Sequence, residues 1–108
     1  MQLPTFLTVL ATVGSVAAKS AKIQYYYDGG CSNYAVEFNV DAFTCINYDW
    51  TNSNSGNIAG CDTDDCTCTF YANRDCSGTS KITSIDGVYD NCASNWGSGF
   101  KSVRCRIY

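Results

Sequence analysis

Much of the chain alternates apolar and polar residues with a period of two, which is the pattern of a β-strand with one buried face. The clearest segments are 34–40, 66–71 and 102–107, and the residues that we expect to face inward are Tyr34, Val36, Phe38 and Val40 in the first, Cys66, Cys68 and Phe70 in the second, and Val103, Cys105 and Ile107 in the third. No segment has a convincing helical period. The pattern therefore predicts an all-β protein.

Three further segments complete the predicted strands. Residues 22–27 are rich in strand formers, 43–48 form another candidate, and 79–85 form a weaker one. We expect a polar loop at 51–56 and one helical turn at 91–96. Short strands separated by turns of Gly, Asn and Asp favour a small sandwich or barrel.

The first 18 residues differ in character from the rest of the chain. They have an apolar centre from Phe6 to Val16 and end in small residues, as a secretory signal peptide cleaved after Ala18 would. The alternative is a membrane anchor, but the apolar run is far shorter than the roughly 20 residues that a spanning helix needs. We therefore expect a signal peptide at 1–18, one domain at 19–108, a secreted, extracellular location and no membrane span.

The chain has eight cysteines, and all of them lie in 19–108: Cys31, Cys45, Cys61, Cys66, Cys68, Cys76, Cys92 and Cys105. A dense, even set in a short exported domain predicts four disulfides, because so small a core buries little apolar surface. The alternative, a metal–thiolate site, is disfavoured because the chain has no His and no Cys-x-x-Cys pair. Cys66 and Cys68 would point to the same side of a strand, so each should pair elsewhere. The remaining connectivity is open.

A short internal repeat aligns residues 26–33 with residues 71–78. In this alignment an aromatic residue, a cysteine and a serine coincide. Chance could produce so short a match, but we favour a duplication with halves at about 22–61 and 66–108.

The repeated element resembles the first hairpin of the βγ-crystallin Greek key, in which an aromatic, a large apolar residue and a glycine recur at this spacing. Cys31 and Cys76 replace the large apolar residue here. A folded hairpin of this kind needs a residue with positive φ, and Gly78 and Asn33 are the candidates. Residues 102–107, a serine followed by alternating apolar positions, are similar to the last strand of that family. The resemblance implies a small, disulfide-rich sandwich of two Greek keys.

Many members of that family bind calcium, but Lys101 stands where the motif needs an oxygen ligand, so we do not carry the site over. The acidic segment 62–65 could hold calcium instead, although a polar loop is the favoured interpretation. The segments 66–71 and 91–100 also resemble small secreted cysteine-rich proteins of filamentous fungi, which include plant-associated effectors and elicitors.

The amino-acid composition limits the kinds of reaction that the chain could catalyse. Without His, and with its cysteines oxidised, the chain lacks the usual general base and a thiol nucleophile. Glu37 and Asp41 are the acid pair that a glycosidase interpretation would need, and we favour solvated surface charges instead. The net charge of −3 and seven scattered basic residues disfavour nucleic acid as a partner. We expect neither an enzyme nor a cofactor or metal.

The leading functional hypothesis is a secreted, non-catalytic effector or elicitor-like protein that acts as a monomer and binds a protein or glycan target on a host or cell surface. The alternatives are an antimicrobial or killer-type toxin on a crystallin-like scaffold and a cell-wall glycan-binding module. The chain is rich in aromatic residues, with eight Tyr, two Trp and five Phe, although most of them should pack in the core. The candidates for an exposed binding surface are Tyr26, Trp50 and Trp96.

Overall fold

The computed structural model describes residues 18–48, 54–94 and 99–108. In these ranges the backbone forms β-strands and turns without a helix. The strands are β1 (Ser20–Tyr26), β2 (Tyr34–Asp41), β3 (Cys45–Asn47), β4 (Ser55–Cys61), β5 (Cys66–Asn73), β6 (Ser77–Ser84), β7 (Ala93–Ser94) and β8 (Ser102–Ile107). The all-β prediction is confirmed for this part of the chain.

The strands form two antiparallel sheets of four strands each. The first sheet has the order β2-β1-β4-β7 and the second has the order β3-β8-β5-β6. The first half of the chain gives three strands to the first sheet and its short third strand, β3, to the second. The second half gives three strands to the second sheet and its short third strand, β7, to the first. Each half therefore completes the other's sheet, so that the two fold together as one β-sandwich-like unit.

The hydrophobic core lies between the sheets. The rings of Tyr25 and Phe70, one from each sheet, have centroids 6.0 Å apart, and Phe38 and Phe100 pack against them at 5.3 and 5.5 Å. These aromatic contacts join the two layers. The predicted inward residues of β5 and β8 are all buried: Cys66, Cys68, Phe70, Val103, Cys105 and Ile107.

Strand β2 follows the predicted alternation only in part. Val40 is buried, and Val36 and Phe38 pack partly buried against the core. Tyr34, which we expected on the same face, is 52% exposed. The pairing of β1 with β2 shifts register at Tyr25 and Tyr26, and this irregularity breaks the alternation at that end of the strand.

Besides the loop expected at 51–56, of which residues 55 and 56 belong to β4, two predicted elements were wrong in extent or type. The strand expected at 43–48 is reduced to 45–47 because Phe43 has a φ of 61°, which is left-handed rather than extended. In place of the expected helical turn at 91–96, the described residues 93–94 pair with β4 as strand β7. Residues 95 and 96 lie outside the described ranges.

The residues with positive φ in the two hairpins of the repeat differ in part from the predicted ones. Gly78 has a φ of 83°, as predicted, but Asn33 does not lie in this region. Instead the two cysteines of the repeat do, with φ of 56° at Cys31 and 51° at Cys76. The backbone therefore turns in the same way at both repeat cysteines.

Candidate functional site

Three disulfides crosslink the described structure: Cys31–Cys92, Cys45–Cys76 and Cys68–Cys105. Cys66 and Cys68 do not bond to each other, as expected. Cys61 and Cys66 carry free thiols, so the expectation that all eight cysteines are crosslinked holds for six of them. The two thiols are neighbours, and burial together with the nearby Cys61 thiol raises the pKa of Cys66.

A shallow groove with a volume of about 260 Å³ lies on the outer face of the second sheet. Three neighbouring strands, β6, β5 and β8, supply two side chains each. We call it the basic groove, and its lining residues are Thr69, Tyr71, Ser80, Ile82, Arg104 and Arg106.

The period of two explains why these residues share a face. In β8 the buried Val103, Cys105 and Ile107 point to the core, so the intervening Arg104 and Arg106 point outward. The floor of the groove is crosslinked, because Cys105 lies directly opposite Cys68 in β5 and forms a disulfide with it. The arginines therefore project from a rigid part of the sheet.

The electrostatic character of the groove is positive. The guanidinium groups of Arg104 and Arg106 make no ion pair with any described residue. Residues i and i+2 of a strand lie on the same face, and their side chains leave the backbone about 7 Å apart. A planar guanidinium can bind carboxylate, sulfate or phosphate through paired hydrogen bonds. The groove thus offers two neighbouring anion-binding groups beside the ring of Tyr71 and the apolar side chain of Ile82.

Of the three residues predicted to form an aromatic binding surface, only Tyr26 lies in the described part of the chain. Tyr26 is only 7% exposed, and its hydroxyl oxygen lies 2.6 Å from Gln24 Oε1 and 3.3 Å from Asn57 Oδ1. Its ring is therefore covered rather than open to a ligand. Trp50 and Trp96 lie outside the described residues. The basic groove was missed, although the alternation in 102–107 already places both arginines on one face.

The candidate acidic sites are occupied by internal contacts. Glu37 lies 3.8 Å from Lys22 Nζ and accepts a hydrogen bond from Gln24 at 3.0 Å. Asp41 lies four residues further along the same strand, about 13 Å away, whereas glycosidase carboxyl pairs are about 5 to 9.5 Å apart. In the acidic loop, Asp62 accepts from the backbone N–H of Ser20 at 2.8 Å. The described residues contain no cluster of three or more metal-ligating side chains.

Burial and hydrogen bonds account for the shifted pKa values of Tyr25, Asp28 and Asp86. Burial, followed by the nearby Tyr48, raises the pKa of Tyr25. Hydrogen bonds from the backbone N–H of Asn33 and the hydroxyl of Ser32 lower the pKa of the exposed Asp28. The pKa of Asp86 is lowered by the backbone N–H of Val88 and the hydroxyl of Ser84. These carboxylates organise turns, and neither of them lines the basic groove.

Comparison of the chain with known protein families, with curated proteins and with solved structures finds no match. The class of protein therefore rests on the fold itself: a small all-β protein of two antiparallel sheets with three disulfides. The disulfides are compatible with an extracellular location. None of the described residues forms a helix long and apolar enough to cross a membrane.

Proposed function

We propose that the protein is a secreted, non-catalytic binding protein of the effector or elicitor type, which recognises an acidic surface of a target protein through the basic groove. The observation that carries this proposal is the pair of outward guanidinium groups, Arg104 and Arg106, held side by side without a described counter-charge. A partner that supplies carboxylates would neutralise them. Tyr71 adds a ring, the type of side chain that is enriched at protein interfaces.

The chemistry of the lining supports binding over catalysis. Its six side chains offer hydroxyl and guanidinium donors together with apolar contact, and none of them is a general base near neutral pH. Because the chain as a whole carries a net charge of −3, the groove is a local exception to the overall charge. Such an exception orients an acidic partner towards one face.

The proposal includes a two-Greek-key, βγ-crystallin-like scaffold. The exchange of β3 and β7 between the halves supports it, since each half then contributes a β-hairpin, a strand in the opposite sheet and a returning strand beside the hairpin. A duplicated scaffold would present one outer sheet face per half. In this chain only the face formed mainly by the second half carries the paired arginines.

Charge reversal tests the role of the groove. We expect the Arg104→Glu/Arg106→Glu double variant to lose at least about tenfold in binding of fluorescently labelled protein to plant cells, and to lose any leaf response after infiltration. Lys81→Glu is the matched control, because exposed Lys81 pairs with Phe70 and so lies on the opposite face of the same sheet. Equal binding by the double variant and the wild type would contradict the proposal. Binding that is removed by protease treatment of the cells identifies a protein target.

A second candidate function is glycan binding, favoured by an exposed aromatic pair. The rings of Phe43 and Tyr108 are 44% and 66% exposed, and their centroids lie 5.4 Å apart in an edge-to-face arrangement. Exposed rings are suited to stacking on sugars. A chitin and glucan pull-down with Tyr108→Ala tests this function, and retention of the wild type by neither polysaccharide would exclude it for these two ligands.

A further inference from the structure

The two cysteines without a disulfide partner lie beside each other at the connection between the sheets. Cys61 is the last residue of β4 and Cys66 is the first residue of β5. Cys66 is buried and Cys61 is half-buried, and only the four residues 62–65 separate them along the chain. Because the other six cysteines are already paired, no other thiol of the described chain competes for either of them.

The positions of the existing disulfides make this pair distinctive. Each existing disulfide lies within a single sheet and its turns. Cys31–Cys92 joins the β1–β2 turn to the residue before β7, whereas Cys45–Cys76 and Cys68–Cys105 both belong to the second sheet. Strand β4 belongs to the first sheet and β5 to the second. A bond between Cys61 and Cys66 would therefore be the sole crosslink between sheets in the described structure.

The backbone already holds the two cysteines in place. The N–H of Asp62 donates to the carbonyl of Ser20 at 3.1 Å, and the carboxylate of Asp62 accepts from the N–H of Ser20 at 2.8 Å. At the other end of the loop, the N–H of Tyr108 donates to the carbonyl of Asp65 at 2.9 Å. The loop is thus attached to the first strand of one sheet and to the end of the last strand of the other, which keeps the thiols together.

We propose that Cys61 and Cys66 form a fourth, redox-responsive disulfide that fastens the two sheets to each other. With an oxidised low-molecular-weight disulfide such as glutathione disulfide, the thiolate of Cys61 attacks one sulfur and releases one glutathione thiolate. The thiolate of Cys66 then attacks the sulfur of Cys61 in the mixed disulfide and releases the second. The two protein thiols lose two electrons and two protons, and one glutathione disulfide becomes two glutathione thiols.

Accessibility sets the order of these steps. Cys61 is the more exposed of the two, so it meets the oxidant first. Burial, the nearby Cys61 thiol and the charges of Asp65 and Asp62 raise the pKa of Cys66, which keeps its thiol protonated. Cys66 therefore reacts second, with the sulfur of the neighbouring Cys61.

The short loop makes this the disulfide on which the stability of the fold depends least. The existing disulfides span sequence separations of 61, 31 and 37 residues, whereas Cys61 and Cys66 are joined by the short loop 62–65. A disulfide stabilises the fold more when the loop that it closes is longer. Reduction of Cys61–Cys66 should therefore leave the protein folded, with the two sheets joined covalently only through the loop.

Peptide mapping of the secreted full chain tests the proposal. Cleavage before aspartate cuts the loop 62–65, so residues 49–61 and 65–74 are recovered as separate peptides unless a disulfide joins them. After equilibration of the native protein with glutathione disulfide we expect these peptides to be joined and no thiol to react in denaturant. After mild treatment with reduced glutathione we expect alkylation at Cys61 and Cys66 alone, located by peptide fragmentation.

Cys61→Ala and Cys66→Ala serve as matched variants. After treatment with glutathione disulfide, Cys61→Ala should keep one thiol, at Cys66, whereas Cys66→Ala should stop at the mixed disulfide between Cys61 and glutathione. If either variant fails to fold, the wild-type map still decides. Two alkylatable thiols at Cys61 and Cys66 after full oxidation would overturn the proposal. Linkage of Cys61 to any cysteine other than Cys66, or reduction of Cys68–Cys105 first, would overturn it as well.

Discussion

Ser55 and Ser102 hold corresponding hairpins in the two halves of the chain by the same arrangement of hydrogen bonds. The hydroxyl oxygen of Ser55 accepts from the N–H of Cys31 at 3.1 Å, and that of Ser102 accepts from the N–H of Cys76 at 2.9 Å. Both hydroxyls in turn donate to backbone carbonyls of the same hairpins, those of Asp28 and Asn73. Each fully buried serine therefore fixes the turn that carries a left-handed cysteine.

Removal of either hydroxyl should destabilise the fold. Ser55→Ala and Ser102→Ala each leave a backbone N–H and a carbonyl without their partner, so we expect a loss of about 1–3 kcal/mol in the free energy of unfolding. Urea unfolding followed by tyrosine and tryptophan fluorescence measures it. Ser80→Ala is the control, since Ser80 is exposed on β6 and its change should stay within about 0.5 kcal/mol. Losses as small as that of the control would show that the hydroxyls do not hold the hairpins.

Besides β7, sequence reasoning missed β4, which is one of the two inner strands of the first sheet. Its sequence, SGNIAGC, lacks the alternating pattern and is rich in residues that are rare in strands, so part of it was assigned to a polar loop. The structure explains this composition. A Cβ at Gly56 would lie 2.8 Å from the ring of Phe70 and 2.9 Å from the ring of Tyr25, so the core rings occupy the space that a side chain would need.

Gly56→Ala should consequently disrupt the core. The added methyl group meets two aromatic rings that are themselves packed, and we expect a loss of about 1–3 kcal/mol in unfolding free energy. Gly60→Ala in the same strand is the matched control, because the nearest atom to its new Cβ is Lys22 Cβ at 3.9 Å. Calorimetry of both variants measures the difference. Equal melting temperatures for the two variants would contradict the packing explanation.

Sequence reasoning was most successful where burial alone decides the pattern, as in β5 and β8, whose inward residues were all predicted. It failed where the pairing with a neighbouring strand sets the exposure of a side chain, as at Tyr34, and where a left-handed residue ends the extended backbone, as at Phe43. For the candidate site, the two arginines could be placed on one face of β8. Their assembly with Tyr71 and Ile82 into a groove depends on the pairing of β8 with β5 and of β5 with β6. That pairing joins segments that are distant in the sequence, so no local pattern of residues predicts it.

Two buried hydroxyls of the described residues have no hydrogen-bond partner, those of Tyr25 and Ser94, and the Tyr25 side chain belongs to the core. Tyr25 Oη is buried and has no hydrogen-bond partner in the described structure. Tyr25→Phe removes the unpaired group and keeps the ring, so we expect the free energy of unfolding to be unchanged or to rise by up to about 1 kcal/mol. Tyr26→Phe, which removes a bonded hydroxyl from the next residue, should lower it by about 0.5–1.5 kcal/mol. Urea titration of both variants makes the comparison, and a larger loss for Tyr25→Phe would contradict it.

The carboxylate of Asp28 makes the first hairpin sensitive to acid. It accepts hydrogen bonds from the backbone N–H groups of Gly30, Ser32 and Asn33 and from the hydroxyl of Ser32. These donors, those of Asn33 and Ser32 above all, hold the pKa of Asp28 well below its usual range. Because the lowered pKa belongs to the folded state, the stabilisation is present at neutral pH and is lost as the pH falls below about 4, the value for an unfolded aspartate.

Asp28→Asn should therefore reduce the urea midpoint at pH 7, and the difference from the wild type should shrink steadily between about pH 4 and pH 2 as this carboxylate takes up a proton in the unfolded wild-type chain. Asp41→Asn is the control, because its exposed carboxylate accepts no hydrogen bond from a described residue. The midpoints of that variant should follow those of the wild type over the same pH range. A difference between Asp28→Asn and the wild type that stays constant down to pH 2 would mean that the ionised form of Asp28 does not hold the hairpin, and that the turn is fixed by Ser55 and the Cys31–Cys92 disulfide instead.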